Sequence, residues 1–274
     1  MIYEKEGSLY YAFDNETVRI DAWGKDAVRV RATGNHGFTA HDWALDAADR
    51  GQGRITLHED AGAGGQVYAN MYSGKNLSNG VLENGRIRVE VNADGVLSFY
   101  NQKDRLLLQE NWRRLRDEPS MALDIPGREY KVAAGDCFAT TVRFHGRDEE
   151  KIFGMGQYQQ KYLNMKGCML ELAQRNSQVS VPFYVSSIGY GFLWNNPAVG
   201  RVAFGMNGTE WHAECTRQID YLVIAGDTPA QIEETYMSLT GRAPMMPEYG
   251  LGFWQCKLRY QTQEQLLTVA RKYK

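Results

Sequence analysis

Apolar and polar residues alternate with period two over much of this chain. Val18-Arg19-Ile20-Asp21-Ala22 and Val28-Arg29-Val30-Arg31-Ala32 each place every second side chain on an apolar face, the pattern of a half-buried strand. Ile87-Arg88-Val89-Glu90-Val91 repeats it and is joined through Asp94-Gly95 to residues 96–100, a hairpin signal. Beyond residue 152 the runs become continuously apolar. Residues 179–185, 191–195, 201–204 and 219–224 read as buried strands, and Gly189 and Gly191 mark a turn between two of them. Many short strands with almost no helix predict a large antiparallel β-sandwich. Residues 62–65 read as a flexible glycine turn, and the charged stretch 109–121 as irregular surface.

The period changes near the end. Thr228-Pro229-Ala230-Gln231 is a capping box with proline at the first helical position, followed by an apolar stripe at Ile232, Tyr236 and Leu239 and by Gly241 as a stop. Pro244 and Pro247 bracket a stiff linker. An apolar strand is expected over residues 249–255. Thr262 and Gln265 cap a second helix with Leu266, Val269, Ala270 and Tyr273 as its buried face. A doubly buried strand followed by an amphipathic helix is how a parallel β/α fold begins. The expected domains are therefore a sandwich over 1–243, a linker over 244–248, and the first strand and helix of an incomplete (β/α)8 barrel over 249–274. A strand without neighbours leaves two outcomes open: docking of the last helix back onto the sandwich, or a homo-oligomer contact through the strand edge.

Composition narrows the chemistry. The chain has 274 residues, with 31 basic against 33 acidic side chains and no basic run, so no nucleic acid partner is expected. No apolar run reaches membrane-spanning length, so no membrane partner is expected either. The opening Met1-Ile2-Tyr3-Glu4-Lys5-Glu6 lacks an apolar core, and Cys137, Cys168, Cys215 and Cys256 are widely spaced; a cytoplasmic chain with free thiols is expected. Its 16 tyrosines and 6 tryptophans suit either a sandwich core or sugar stacking.

Motifs for other chemistries fail. Gly154 and Gly156 lack the third glycine of a dinucleotide loop, since Gln159 stands there, and tight turning at a strand end explains them. No histidine has metal-ligand spacing, so no metal or cofactor is expected. The acidic clusters Asp42, Asp46, Asp49 and Asp148, Glu149, Glu150 read as solvated turns. A mutarotase-like sandwich enzyme would need a His/Glu pair in a concave sheet, and the histidines fall mostly outside the predicted strands.

The most specific stretch runs from Gly154 to Trp194. Gly154, Gly156 and Gln157 are followed by Arg175-Asn176, by Pro182-Phe183, by Ser186 and by Gly189-Tyr190-Gly191 ahead of an apolar strand. The tail adds Thr240-Gly241-Arg242-Ala243-Pro244, Pro247 and Gly250-Leu251-Gly252-Phe253-Trp254-Gln255. Together these resemble glycoside hydrolase family 31, the α-glucosidase and α-xylosidase family, over residues 152–274, with only the architecture matching before them. The resemblance implies a galactose-mutarotase-like supersandwich ahead of a (β/α)8 barrel. It implies a retaining mechanism with an aspartate nucleophile and an aspartate acid/base on later barrel strands, so no catalytic residue is assigned in this chain. It implies an oligosaccharide or α-glycoside substrate, with xylose and glucose both open. Arg175 and Asn176 match a loop that shapes the aglycone side. Asn176 either binds a sugar hydroxyl or orders its own turn. Trp254, Gln255, Lys257 and Leu258 fall at the end of the first barrel strand, where such barrels bind substrate. The competing reading is a stand-alone carbohydrate-binding sandwich.

Overall fold

The computed structural model describes residues 1–34, 37–46, 50–59, 77–114 and 124–274. The glycine turn at 62–65, His36, Asp49 and residues 115–121 of the charged stretch lie outside them.

The alternating segments 18–22, 28–32 and 87–91 fall within strands, and further strands form that the alternation did not mark. β1 (Ile2–Lys5), β2 (Ser8–Phe13), β3 (Glu16–Trp23) and β4 (Ala27–Thr33) form an antiparallel meander. β5 (Arg54–Glu59), β6 (Leu77–Asn84), β7 (Ile87–Asn92), β8 (Leu97–Asn101) and β9 (Leu106–Gln109) form a five-stranded sheet in chain order. β10 (Arg113–Arg114) and β11 (Asp124–Ile125) pair as a ribbon. Then come β12 (Arg128–Val132), β13 (Phe138–His145), β14 (Ile152–Gln157), β15 (Met169–Leu172) and β16 (Val179–Ser186). β17 (Tyr190–Trp194), β18 (Gly200–Phe204), β19 (Gly208–Thr216) and β20 (Ile219–Ala225) complete the set. A second five-stranded sheet has the order β12-β13-β19-β18-β15. The largest sheet, of eight strands, runs β1-β2-β3-β4-β20-β17-β16-β14.

Successive side chains of a strand point to opposite faces, and both faces of the large sheet are buried. On one face Tyr184, Phe192, Trp194 and Tyr221 meet Phe144, Phe204 and Trp211 from the β12–β15 sheet. Phe192 is the hub, with ring centroids 5.0 Å from Trp211, 5.1 Å from Tyr221 and 5.5 Å from Tyr184. On the other face Phe183, Leu193, Leu222 and Ile224 pack against Trp23, Leu45 and helix α1 (Pro229–Thr240). Thr228 caps α1 by accepting from Gln231 N, Pro229 opens it, and Tyr236 stacks on Phe183 at 3.9 Å.

β20 pairs with β4, joining the sheet between residues far apart in sequence, such as Ile224 and Ala27. Fully buried Arg29 rivets this seam: its Nε donates to Asp220 Oδ1 at 3.0 Å and its Nη2 to Asp220 Oδ2 at 2.6 Å. The remaining nitrogen reaches Asp42 at 2.5 Å, and Trp23 covers the guanidinium at 4.7 Å. Burial alone would lower the Arg29 pKa, but its bonds to Asp220 and Asp42 outweigh that and hold it above the usual arginine value.

Several expectations change. The charged stretch from residue 109 is no surface loop where described: Gln109 ends β9, and Glu110 is buried against Arg128 and accepts from Leu97 N. Glu150 is no solvated turn residue either, since it accepts from Ser186 Oγ at 2.5 Å and Tyr190 Oη at 2.7 Å under cover. Asp42 is held by Arg29. In each case the partner is remote in sequence, so local polarity could not reveal it. Gly154 and Gly156 sit inside β14, not at its end. They flank a bulge at Met155, and a Cβ on Gly156, at φ +92°, would lie 2.2 Å from Val179 O. His58, His145 and His212 lie in β5, β13 and β19, contrary to the expectation that histidines avoid the strands.

The chain divides into two compact units, Met1–Gly241 and Arg242–Lys274. In the second unit the strand expected over 249–255 does not form. Glu248–Leu251 makes a 3₁₀ turn and residues 252–262 are irregular. A strand is stabilised by its ladder neighbours, and among the described residues none pairs here; two glycines weaken the extended state further. Helix α2 (Gln263–Tyr273) does form, with Thr262 accepting from Gln265 N, but none of its residues is buried.

The seam makes a direct prediction. Asp220→Ala strands the Arg29 charge inside the protein and costs about 3–5 kcal/mol in urea unfolding. A loss below about 1 kcal/mol would show that the seam does not depend on this pair.

Candidate functional site

Loop 173–178, between β15 and β16, is built from its neck outward. Gln174 clamps Ser180 with two bonds: its Nε2 donates to Ser180 O at 2.7 Å and its Oε1 accepts from Ser180 N at 3.0 Å. The Tyr158 hydroxyl lies 2.8 Å from both Glu171 O and Ser180 Oγ. Above this neck Arg175 and Gln178 form a bridge, and Ser177 turns the chain at φ 73°.

The tip is exposed. Arg175 lies bidentate on Glu171, at 2.6 and 2.7 Å. That bond lowers the Glu171 pKa and raises that of Arg175. A guanidinium fixed in plane is ready to meet hydroxyl oxygens. Asn176 makes no hydrogen bond among the described residues, so its amide donors and acceptor are free. The turn is ordered by the Gln174 clamp, not by Asn176.

Of two clefts that share a wall, the smaller adjoins the neck. The smaller, of about 500 Å³, is lined by Gln174, Ser180, Pro182, Trp194 and Tyr236. The larger, of about 700 Å³, is lined by His41, Asn195, Gln218 and Asp220. Trp43 borders both. It is 53 % exposed, adopts φ 53°, and lies against His41 at 4.9 Å. The buried Asn195 amide holds this turn by donating to Asp42 O at 3.1 Å and accepting from Ala44 N at 3.3 Å. A bulky residue in the left-handed region is strained by about 1–2 kcal/mol, and such strain gathers at binding sites. Trp43 escaped the sequence reading because it stands among aspartates that looked like a solvated turn.

The second unit carries the other candidates, all exposed. Trp254 Nε1 donates to Gly250 O at 3.3 Å. Gln255 is held between two tyrosines, donating to Tyr260 Oη at 3.3 Å and accepting from Tyr273 Oη at 3.2 Å. The Lys257 ammonium stands 6.0 Å over the Tyr260 ring, and Leu258 is bare. Gln255 and Lys257 thus gather on one ring. Arg175 and Asn176 gather on the loop of the first unit.

No cluster of three or more potential metal ligands exists among the described residues, and no described helix is long and apolar enough to cross a membrane. His212 bonds Thr141 at 3.1 Å, and burial lowers its pKa.

The architecture is that of the antiparallel sandwich domains of glycoside hydrolases. No family model matches the chain. It is 41 % identical over 281 residues to an uncharacterized family 31 glucosidase, ORF2, of Pseudescherichia vulneris, covering 98 % of this chain and 50 % of that protein. It is 30 % identical to alpha-xylosidase A of Aspergillus niger, over 94 % of this chain and 35 % of the relative. The chain thus spans half or less of the length of these curated relatives. Among solved structures, a family 31 alpha-xylosidase from a soil metagenome, complexed with xylose, superposes over the whole chain. Its TM-score is 0.85 at 42 % identity, and the match covers 39 % of that enzyme. The chain belongs to glycoside hydrolase family 31.

Trp43 supplies a test of whether strain here serves stability. Asparagine tolerates the left-handed region, so Trp43→Asn is expected to leave unfolding free energy within about 0.5 kcal/mol or to raise it. A loss above about 2 kcal/mol would assign the indole a packing role.

Proposed function

We propose that this chain is the N-terminal portion of a retaining α-glycosidase that hydrolyses terminal α-linked xylosides or glucosides. The sandwich shapes the aglycone side of the active site through Arg175 and Asn176, and residues 249–274 open the catalytic barrel with Trp254, Gln255, Lys257 and Leu258 at its substrate end. The observation that carries this reading is the loop itself. A clamped neck, a guanidinium fixed by Glu171 and a free amide at the tip are binding groups held ready on a rigid sheet.

The chemistry needs two carboxyl groups about 5–5.5 Å apart. The buried carboxylates of the sandwich are poor candidates for it, because Glu110, Glu150 and Asp220 are each engaged by cations or hydroxyls under cover. The reading therefore places both catalytic aspartates outside this chain. Its role in the reaction is orientation: an aglycone sugar held by Arg175 and Asn176 would set the scissile bond against the barrel's acids.

In the full enzyme, Asn176→Ala is expected to raise KM for a substrate with a sugar aglycone about five-fold, the worth of one hydrogen bond, while kcat and a nitrophenyl α-xyloside's kinetics stay near wild type. The 274-residue chain alone should not hydrolyse nitrophenyl α-xyloside or α-glucoside. Turnover by the pure chain, or equal loss on both substrates, would overturn the reading.

The second reading, a carbohydrate-binding sandwich without catalysis, is favoured by Trp43, an exposed indole between two clefts. It predicts sugar affinity of the isolated chain in calorimetry, abolished by Trp43→Ala.

A further inference from the structure

Cys137 and Cys215 meet at the open end of β13 and β19. The ladder passes from Phe138↔Thr216 to Thr140↔Ala213, so β19 spends one residue more than β13 over that step. Bulges of this kind bend a strand and re-aim a side chain, and Cys215 stands in this one. Cys137 directly precedes Phe138 and Cys215 directly precedes Thr216, and Phe138 pairs with Thr216 across the ladder end. The neighbouring Cys137 thiol first, then desolvation and the charge of Asp136, holds the Cys215 pKa above its ordinary value. Just beyond the two strand ends, Asp136 and Arg217 tie them with an ion pair of 2.6 Å. Cys215 is exposed and Cys137 half-buried. Asp136, Cys215 and Arg217 line the larger cleft beside Trp43.

We propose that Cys137 and Cys215 are a disulfide-forming pair, oxidised by small-molecule disulfides, that ties the turn before β13 to the end of β19 at the rim of this cleft. Disulfide formation requires cysteines on neighbouring backbone segments, and the paired strand ends, tied by the Asp136–Arg217 ion pair, put Cys137 and Cys215 on such segments. The exposed Cys215 reacts first. Its thiolate, after losing a proton to water, attacks one sulfur of the oxidant. The oxidant's S–S bond breaks, one thiolate leaves and takes a proton, and Cys215 carries a mixed disulfide. The Cys137 thiolate then attacks Cys215 Sγ and expels the second thiol. The protein loses two electrons and two protons, and the oxidant becomes two thiols. Because the thiolate is the attacking species, the raised Cys215 pKa makes the first step accelerate as pH rises above the usual thiol range.

The test uses glutathione disulfide on the folded chain at graded pH, with acid quench, alkylation and non-reducing peptide mass spectrometry. The expected product is a Cys137–Cys215 peptide two hydrogens lighter than its reduced parts, formed ahead of any link through Cys168 or Cys256. Cys137→Ser, checked for a native circular dichroism spectrum, is expected to stop at the glutathione adduct on Cys215. Cys215→Ser is expected to leave Cys137 largely unmodified. A wild-type chain that stops at the mixed disulfide, or one that cross-links only in urea, would overturn the proposal.

Discussion

The sandwich depends on one buried cation. Arg29 lies in the fourth strand of the chain and Asp220 in the last, and their two-fold bond closes the eight-stranded sheet. Between them the chain builds two further sheets and a short ribbon, and adds β14, β16 and β17 to the seam's own sheet. A buried ion pair contributes little net stability compared with a well-packed apolar pair, but breaking it leaves a charge that the interior cannot solvate. The seam therefore discriminates against misregister more than it adds free energy: a slip of β20 by one residue would move Asp220 to the opposite face, away from Arg29. The same guanidinium reaches Asp42 and so fixes where Trp43 stands between the clefts. Arg29 thus couples the seam to the turn that Asn195 also holds.

Aromatic packing fills the space that the seam encloses. Phe192 and its neighbours bring tyrosine, tryptophan and phenylalanine rings into contact across the sheets, which commits many of the described aromatic residues to the core. Trp43 stands out against that background. It is exposed, strained and held by hydrogen bonds to its backbone neighbours, the reverse of Trp23, Trp194 and Trp211.

Much of the fold was legible because sandwiches write themselves in period two. Residues 18–22, 28–32 and 87–91 fall inside β3, β4 and β7, and the caps at Thr228 and Thr262 form as their spacing requires. The family was legible for a different reason, since Gly154, Gly156 and Gly189 answer to backbone geometry that few other residues can adopt. What stayed hidden were the roles of Glu110, Glu150, Asp42 and Asp220. A buried carboxylate and a solvated one look alike in sequence, and the partner that distinguishes them is up to 191 positions away. The strand expected over 249–255 failed for a related reason: a strand's stability resides in its neighbours, not in its own residues. Of the site, Arg175 and Asn176 were visible as a motif, but the Gln174 clamp and the Glu171 partner that give them geometry were not.

Whether this sandwich contributes binding groups to the aglycone side of an α-glycosidase site can be read from one crystal structure, that of the full enzyme with an unhydrolysed α-xylosyl oligosaccharide bound. A sugar ring beyond the scissile bond should lie within hydrogen-bond distance of Asn176 or the Arg175 guanidinium. A bound oligosaccharide whose every ring contacts barrel residues alone, with loop 173–178 facing solvent, would rule that role out.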